Sequence, residues 1–158
     1  MGQSTEPEIS AAIKIISTGI ALPAERLTSS DLDSWLGKPP GYVEKRSGIL
    51  TRYHASHTAS QAGLAAQALH NALHAGTISP ASIDLLICAS AIAIQALPCS
   101  AVHIIKAAGM PAGMAGFDIN SSCVSFISAL EVAAGLLNTG AYRRIAIVSA
   151  DLASRGID

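Results

Sequence analysis

One stretch limits the possible folds of this chain more than any other. Residues 116–119 form a short run that is mostly apolar, and residues 120–122 are small and polar. Cys123 follows, and then an apolar segment, residues 124–137, whose only charge is Glu131. The pattern predicts a strand, a tight turn and a helix with Cys123 in its first turn. A helix that is apolar on all sides is a core helix, so a buried α/β arrangement is expected.

Cys123 is the candidate nucleophile of this stretch. A helix N-terminus has free N–H groups and a partial positive charge, which favour the reactive thiolate over the thiol. The alternative is that Cys123 is a small buried hydrophobic residue, the commoner role of a free cysteine. Cys99 also begins a predicted helix, but we rank it lower because small polar residues precede Cys123, as an exposed nucleophile requires.

The rest of the chain alternates between predicted strands and helices. Residues 1–11 are expected to be a disordered tail. The predicted strands are residues 13–18, residues 85–90, a strand near residue 116 and residues 144–150, and the predicted helices are residues 31–36, 42–46, 58–75, 98–108 and the helix that begins at Cys123. This alternation predicts a three-layer α/β/α sandwich around a mainly parallel sheet.

Composition excludes several classes of function. Hydrophobic residues make up 50% of the chain and charged residues only 13%, against about a quarter in a typical soluble domain, so we expect part of the surface to be covered by another subunit or a further half. The net charge of −1 gives no reason to expect binding to nucleic acid or to an anionic membrane. The longest apolar window, residues 85–97, is too short to span a membrane.

The cysteines and histidines predict neither a disulfide framework nor a metal site. The three cysteines are odd in number and have no zinc-site spacing, which favours a reducing cytoplasmic location. His70 and His74 have the i, i+4 spacing of two metal ligands, but the local sequence suggests no third ligand, so a solvated pair is expected instead.

One basic and aromatic cluster stands out in a chain that is poor in charge. Lys45, Arg46 and Arg52 lie close in sequence to Tyr42. A guanidinium group stacks on purines and pairs with phosphates, so the cluster is a candidate nucleotide-binding site. From the residues alone, an ordinary solvated loop cluster is the preferred interpretation.

Residues 118–126 resemble the nucleophile turn of the β-ketoacyl-acyl carrier protein synthase III family, in the thiolase-like superfamily. Further blocks resemble the same family in the same order along the chain: residues 13–19, 42–49, 83–90, 97–101 and 145–151. Two positions depart from the family pattern. Ser125 stands where the family usually has glycine, and Tyr42 replaces the usual tryptophan.

The resemblance implies an acyltransferase that needs no cofactor. Cys123 takes an acyl group from an acyl-coenzyme A thioester, and malonyl-acyl carrier protein then condenses with it on losing carbon dioxide, in fatty acid or related biosynthesis. Tyr42 and Arg46 match positions that hold the adenine end of coenzyme A, and Arg52 is a weaker phosphate candidate. Leu97 matches a position that lines the acyl pocket, where a side chain smaller than the family's common phenylalanine would admit longer or branched acyl groups.

The resemblance also implies that residues 12–158 are the N-terminal half of a thiolase-like protein, ending before a fifth strand. Family members carry a similar second half with a catalytic histidine and asparagine, whereas every histidine here precedes Cys123. We therefore expect the isolated chain to be inactive, and to form a homodimer or join a complementing C-terminal half. Two alternatives stay open: a non-catalytic thiolase-like subunit, or a related acyltransferase of secondary metabolism.

Overall fold

The computed structural model describes residues 13–153, so the predicted tail lies outside the described residues. Strands and helices follow in the order β1 (Glu25–Thr28), α1 (Ser29–Trp35), α2 (Tyr42–Ser47), β2 (Thr51–His54), α3 (Gln61–Ala75), β3 (Leu85–Ala89), α4 (Ser100–Ala107), β4 (Ala115–Ile119), α5 (Ser125–Asn138) and β5 (Ile145–Val148). Two 3₁₀ turns, Pro80–Ser82 and Ser122–Val124, precede β3 and α5.

The predicted three-layer α/β/α architecture is confirmed. A parallel sheet has the strand order β4-β3-β5, with Leu86 of β3 opposite Gly116 of β4 and Ala146 of β5. Helices α3 and α4 pack together on one face, and α5 packs against all three strands on the other. Parallel strands joined through helices have this layout because each crossover returns the chain across a face of the sheet.

Strand β3 is the centre of the core. All five of its residues are buried, as the apolar run predicts for a strand covered on both faces. Leu86 and Cys88 join the core cluster with α3 and α4, whereas Leu85 and Ile87 pack with Ala129 of α5 and its neighbours. The alternation of side chains along the strand therefore links both helical layers to one sheet.

A carboxylate aligns the beginnings of β3 and β5. Asp84 accepts hydrogen bonds from the backbone N–H groups of Arg143 and Arg144, at 2.8 and 2.9 Å, and its own N–H donates to the Arg144 carbonyl. These two bonds from the backbone stabilise the charged carboxylate and lower the pKa of Asp84. Asp84 thus connects the start of β5 to the start of β3, beside the backbone pairing of the two strands.

An antiparallel pair, β1 with β2, was not predicted from the sequence. Each strand has only four residues, and Leu27 pairs with Arg52 in the register. The pair leads into α1, which begins two residues before the predicted helix start, with Thr28 as its N-cap. Thr28 and Asp31 form a reciprocal capping box, and hydrogen bonds from Thr28 lower the pKa of Asp31.

Three other predictions are wrong. Residues 13–18 form no strand, since they make no backbone–backbone hydrogen bond within the described residues. Helix α4 begins at Ser100 with Cys99 as N-cap, so Pro98 lies outside it. Helix α5 is not a core helix buried on all sides, since only Ser125, Ala129 and Ala133 are buried. Its large apolar side chains Phe126, Ile127 and Val132 are exposed.

Candidate functional site

Cys123 lies in the 3₁₀ turn Ser122–Val124, between the end of β4 and the start of α5. This position is slightly before the predicted one, in the first turn of the helix, because α5 begins two residues later. The thiol is exposed, unlike those of Cys88 and Cys99, which are buried and half-buried. A nucleophile at the end of a parallel strand occupies the edge where ligand sites of open α/β sheets are built.

The backbone just before Cys123 is strained. Ser122 has φ +55°, in the left-handed region that a residue with a Cβ rarely adopts, at a cost of about 1–3 kcal/mol. Three polar contacts hold this turn. The Ser122 N–H donates to Asn120 Oδ1 at 3.1 Å, the Ser121 N–H donates to Ser125 Oγ at 2.9 Å, and the Ser125 hydroxyl donates to the Ser122 carbonyl at 2.7 Å.

Ser125 therefore has a structural task that the sequence analysis missed. Its buried hydroxyl bridges two residues of the turn, accepting at Ser121 and donating at Ser122. The departure from the family's glycine at this position is thus accommodated, because the hydroxyl satisfies backbone groups of the turn. Its position four residues after Ser121 and three after Ser122 is the only signal of this role in the sequence.

The N-terminus of α4 is already occupied by a carboxylate. Asp118 of β4 accepts hydrogen bonds from the N–H groups of Ser100 and Ala101, both at 2.7 Å. Cys99, the N-cap residue, has its Sγ 4.0 Å from the Gly116 carbonyl. The partial positive charge of this helix end therefore acts on Asp118, whereas the exposed thiol is at Cys123.

The predicted basic cluster is partly assembled on α2. The Arg46 guanidinium carbon lies 5.0 Å from the ring centre of Tyr42, and Lys38 Nζ lies 5.5 Å from the same ring. Both are cation–π distances. Lys38 was not among the predicted residues, although it lies only four residues before Tyr42.

A buried carboxylate positions α2. Asp33 of α1 is 3% exposed and accepts hydrogen bonds from the N–H groups of Gly41 and Val43, at 2.7 and 2.8 Å. Gly41 has φ +81°, so it makes the turn at the helix entrance without strain. Asp33 thereby caps α2 from the preceding helix, a contact that the sequence analysis did not identify.

Arg52 lies on β2 and is held by two hydroxyl groups. Its Nη1 donates to Ser29 Oγ and its Nη2 to Ser47 Oγ, each at 3.1 Å. Arg52 thus joins the start of α1 to the end of α2 in the same region as Tyr42 and Arg46. These contacts are those of a residue that stabilises the fold locally. That Arg52 binds a phosphate of coenzyme A stays a prediction.

Leu97 lies in the loop between β3 and α4, and the residue is 83% exposed. The cysteine turn contacts this loop, since Asn120 Nδ2 donates to the Ala91 carbonyl at 3.0 Å. No described contact joins Leu97 to Cys123 directly. Its assignment to an acyl pocket therefore stays a prediction, as do those of Tyr42, Arg46 and Cys123.

The residues from 13 to 153 contain no group of three or more His, Cys, Asp or Glu side chains that is arranged to hold a metal ion. His70 Nε2 lies 2.8 Å from the Ala108 carbonyl oxygen, so this ring joins α3 to the end of α4. Within the same described range, no helix is long and apolar enough to cross a membrane.

Sequence comparison identifies related proteins over most of the chain. The family described as 3-oxoacyl-[acyl-carrier-protein (ACP)] synthase III matches residues 117–158, which include Cys123. A β-ketoacyl-[acyl-carrier-protein] synthase III of Allorhizobium ampelinum is 32% identical over 140 residues, which are 89% of this chain and 43% of that protein. The chain thus spans slightly less than half the length of the curated relatives it matches.

Solved structures show the same correspondence. The 3-oxoacyl-[acyl-carrier-protein] synthase III of Aquifex aeolicus superposes with a TM-score of 0.81 and 30% identity, over 93% of this chain and 47% of that one. A tetronic acid condensing enzyme superposes with a TM-score of 0.84 and 26% identity, over 93% of this chain and 46% of that one. Both likenesses cover one half of the larger structures.

Proposed function

Because this chain belongs to the β-ketoacyl-acyl carrier protein synthase III family, as the N-terminal half of its thiolase-like fold, we propose that Cys123 is the acyl-accepting nucleophile of a condensing enzyme. The observation that carries the proposal is the exposed thiol on a strained turn between β4 and α5. The neighbouring cysteines differ from it, since Cys88 is buried and Cys99 half-buried.

The first step is transfer of an acyl group between sulfur atoms. The Cys123 thiolate attacks the thioester carbonyl of acyl-coenzyme A, the new C–S bond forms, and coenzyme A leaves as its thiolate. Exchange between two thioesters is nearly balanced in free energy, and a thiolate needs little activation. The Cys123 N–H is proposed as one donor to the oxyanion, because the adjacent N–H groups of Ser122 and Val124 already donate within the turn.

The second step forms the carbon–carbon bond. Malonyl-acyl carrier protein loses carbon dioxide, and the resulting enolate attacks the acyl carbonyl on Cys123. The Cys123 thiolate then leaves, and a β-ketoacyl product remains on the carrier protein. Stabilising the enolate needs the histidine and asparagine that the family resemblance assigns to the second half, so the isolated chain is proposed to be limited to the first step.

Intact-protein mass spectrometry tests the proposed nucleophile. The full chain is incubated with acetyl-coenzyme A, alone and with the separately expressed second half of the Allorhizobium ampelinum relative. We expect one acetyl adduct that Cys123→Ala abolishes and Cys99→Ala retains. A folded chain that acquires no adduct under either condition would instead identify a non-catalytic subunit, and an adduct that survives Cys123→Ala would place the nucleophile elsewhere.

The α2 cluster is proposed to bind the adenine and phosphate end of coenzyme A. Tyr42 offers a ring face, and the charges of Arg46 and Lys38 lie beside it. We expect Arg46→Ala to raise the acyl-coenzyme A concentration needed for half-maximal acylation by about tenfold, since a charge-assisted phosphate contact is lost. Lys45→Ala is the matched control, because Lys45 is an exposed neighbour without a described contact to Tyr42. Equal effects of the two variants would contradict the assignment.

Secondary metabolism is the second candidate context. The tetronic acid condensing enzyme resembles this chain at 26% identity, close to the 30% of the Aquifex aeolicus synthase. With the second half supplied, a panel of acyl-coenzyme A primers separates the two contexts. Strict acetyl preference supports fatty acid initiation, whereas preference for longer or branched primers supports a specialised condensing enzyme and the assignment of Leu97 to the acyl pocket.

A further inference from the structure

The backbone of Ser122 is held at both of its polar groups. Its N–H donates to Asn120 Oδ1 at 3.1 Å, and its carbonyl accepts the Ser125 hydroxyl at 2.7 Å and the Ser125 backbone N–H as well. Ser122 is also the residue with φ +55°, a conformation that persists only where neighbouring groups hold it. The contacts of Asn120 and Ser125 therefore maintain the strained turn before Cys123.

A single hydroxyl closes two residues of this turn. Ser125 Oγ accepts a hydrogen bond from the Ser121 N–H at 2.9 Å and donates one to the Ser122 carbonyl. The N–H at the start of this two-residue segment and the carbonyl at its end thus meet on one atom. Because Ser125 is only 2% exposed, its two hydrogen bonds lie away from bulk water, where such bonds are stronger.

The Ser122 carbonyl and the Cys123 N–H belong to the same peptide group. This peptide is trans, so it is planar and its C=O and N–H bonds have opposite directions. A group that fixes the direction of the carbonyl therefore fixes the direction of the N–H. Since the carbonyl is directed towards the buried Ser125 hydroxyl, the Cys123 N–H is directed away from it.

We propose that Ser125 is a positioning residue for acyl transfer, because its hydroxyl holds the Ser122 carbonyl and thereby aims the Cys123 N–H at the oxyanion. This inference rests on the proposed function, in which the Cys123 thiolate attacks a thioester carbonyl and the Cys123 N–H is one oxyanion donor. Such a donor lowers the barrier only when it is aimed at the position that the oxyanion occupies. Ser125 acts through the peptide group and not on the acyl group itself.

Ser125 is also a position at which this chain departs from the family pattern. The family resemblance places a glycine there, and glycine has no side chain that could hold the turn. In this chain the strained residue is a serine, Ser122, and the hydroxyl of Ser125 supplies two of the bonds that hold it. We therefore expect that restoring the family's glycine at residue 125 lowers the rate of acyl transfer in this chain.

The kinetics of Ser125→Ala test the proposal. Intact-protein mass spectrometry follows acetyl transfer to the full chain from acetyl-coenzyme A, under whichever of the two conditions above acetylates the parent. We expect the maximal rate to fall about tenfold, less than the loss on removing an oxyanion donor outright, because the Ser125 N–H still holds the Ser122 carbonyl. The concentration for half-maximal rate should stay within about twofold of the parent value, since the α2 cluster is unchanged.

Alkylation separates the aim of the Cys123 N–H from the reactivity of the thiol. Iodoacetamide reacts with the thiolate at a saturated carbon: the S–C bond forms, iodide leaves and no oxyanion develops. We expect the alkylation rate of Cys123 in Ser125→Ala to stay within about twofold of the parent rate. Equal losses of acylation and alkylation would show that Ser125 acts on the thiol itself, and an unchanged acylation rate would show that it has no role. Either result overturns the proposal.

Three further variants keep the test independent of the stability of Ser125→Ala. Asn120→Ala releases the other polar group of Ser122 from an exposed position, and Ser125→Gly introduces the family's residue. We expect both to slow acylation and to spare alkylation. Ser128→Ala is the matched control, because Ser128 is half-buried on the same helix and has no side-chain hydrogen bond within residues 13–153. A parent-like acylation rate in Ser125→Gly, or an equal loss in Ser128→Ala, overturns the proposal.

The ester p-nitrophenyl acetate separates this inference from the proposed function. Its acetyl group passes to the thiolate through the same kind of oxyanion, p-nitrophenolate leaves, and no site for coenzyme A is needed. If the ester acetylates Cys123 and acetyl-coenzyme A does not, the assignment of coenzyme A fails, and the rates of Ser125→Ala and Ser128→Ala with the ester still decide the role of Ser125. A parent chain whose Cys123 is alkylated but accepts acetyl from neither donor overturns both proposals.

Discussion

Cys99 and Cys123 both precede a helix, yet the fold gives them different surroundings. Cys99 is the half-buried N-cap of α4, where two N–H groups already donate to Asp118. Cys123 is exposed in a 3₁₀ turn whose strained residue is Ser122. The contrast teaches that proximity to a helix start does not define a nucleophile. What matters is whether another group occupies that helix end and whether the thiol reaches solvent.

The largest expected difference is in thiol reactivity. We expect iodoacetamide to modify Cys123 on the order of 100-fold faster than Cys88, with Cys99 between them, because alkylation of a buried thiol requires local opening. Peptide mass spectrometry over a time course measures the three rates. Faster labelling of Cys99 than of Cys123 would reverse the comparison and remove the main support for Cys123.

Removing the carboxylate at α4 should make the two helix starts more alike. Asp118→Asn replaces a charged acceptor of two backbone N–H groups with a neutral amide, and we expect it to lower the free energy of unfolding by about 2 kcal/mol. Labelling of Cys99 should accelerate because the end of α4 is less firmly held. Urea unfolding and the same labelling time course provide both readouts.

Asp84→Asn is the matched control for this variant. Asp84 also accepts two backbone hydrogen bonds, from Arg143 and Arg144, but at the start of β5 instead of at α4. A comparable loss of stability is expected without a change at Cys99. If both variants accelerate Cys99 labelling equally, general loosening of the fold explains the result and the local role of Asp118 is wrong.

Substitution of Ser122, the strained residue before Cys123, is expected to have a smaller effect on the free energy of unfolding. Ser122→Gly relieves the positive φ but increases the freedom of the unfolded chain, so the net stabilisation should be about 0.5–1 kcal/mol. Ser122→Ala keeps the strain and is the control. A Ser122→Gly variant that is less stable than Ser122→Ala would show that the turn does not adopt this backbone conformation.

The smallest expected effect is the pH dependence due to Cys88. Burial raises the pKa of the Cys88 thiol, so the unfolded chain loses this proton at a lower pH than the folded one does. Stability is therefore expected to fall as the pH rises above the ordinary pKa of a cysteine, and not below it. In Cys88→Ala, the free energy of unfolding, measured with urea from pH 7 to pH 10, should fall less steeply with pH. An unchanged slope would show that another group causes the fall in stability.

The sequence predicted the elements whose pattern is local. The strand predicted at residues 85–90, the helix predicted at residues 58–75 and the change from strand to helix around Cys123 all appear near their expected positions, as β3, α3 and the turn between β4 and α5. The family resemblance located the whole cysteine turn, from the end of the strand to the start of the helix. Four-residue strands such as β1 and β2 carry too little pattern, so their pairing was missed.

The sequence by itself determined the alternation of strands and helices, the parallel sheet and the candidate nucleophile, because these follow from periodicity and short motifs. Only the tertiary structure decided which polar groups meet. Asp33 reaches Gly41 and Val43, and Asp118 reaches the start of α4, through contacts between separate elements. At residues 13–18, the tertiary structure instead prevents an element that the sequence predicts. Their apolar pattern predicts a strand, but a strand exists only when a neighbouring backbone accepts its hydrogen bonds, and β5 is separated from them by a groove.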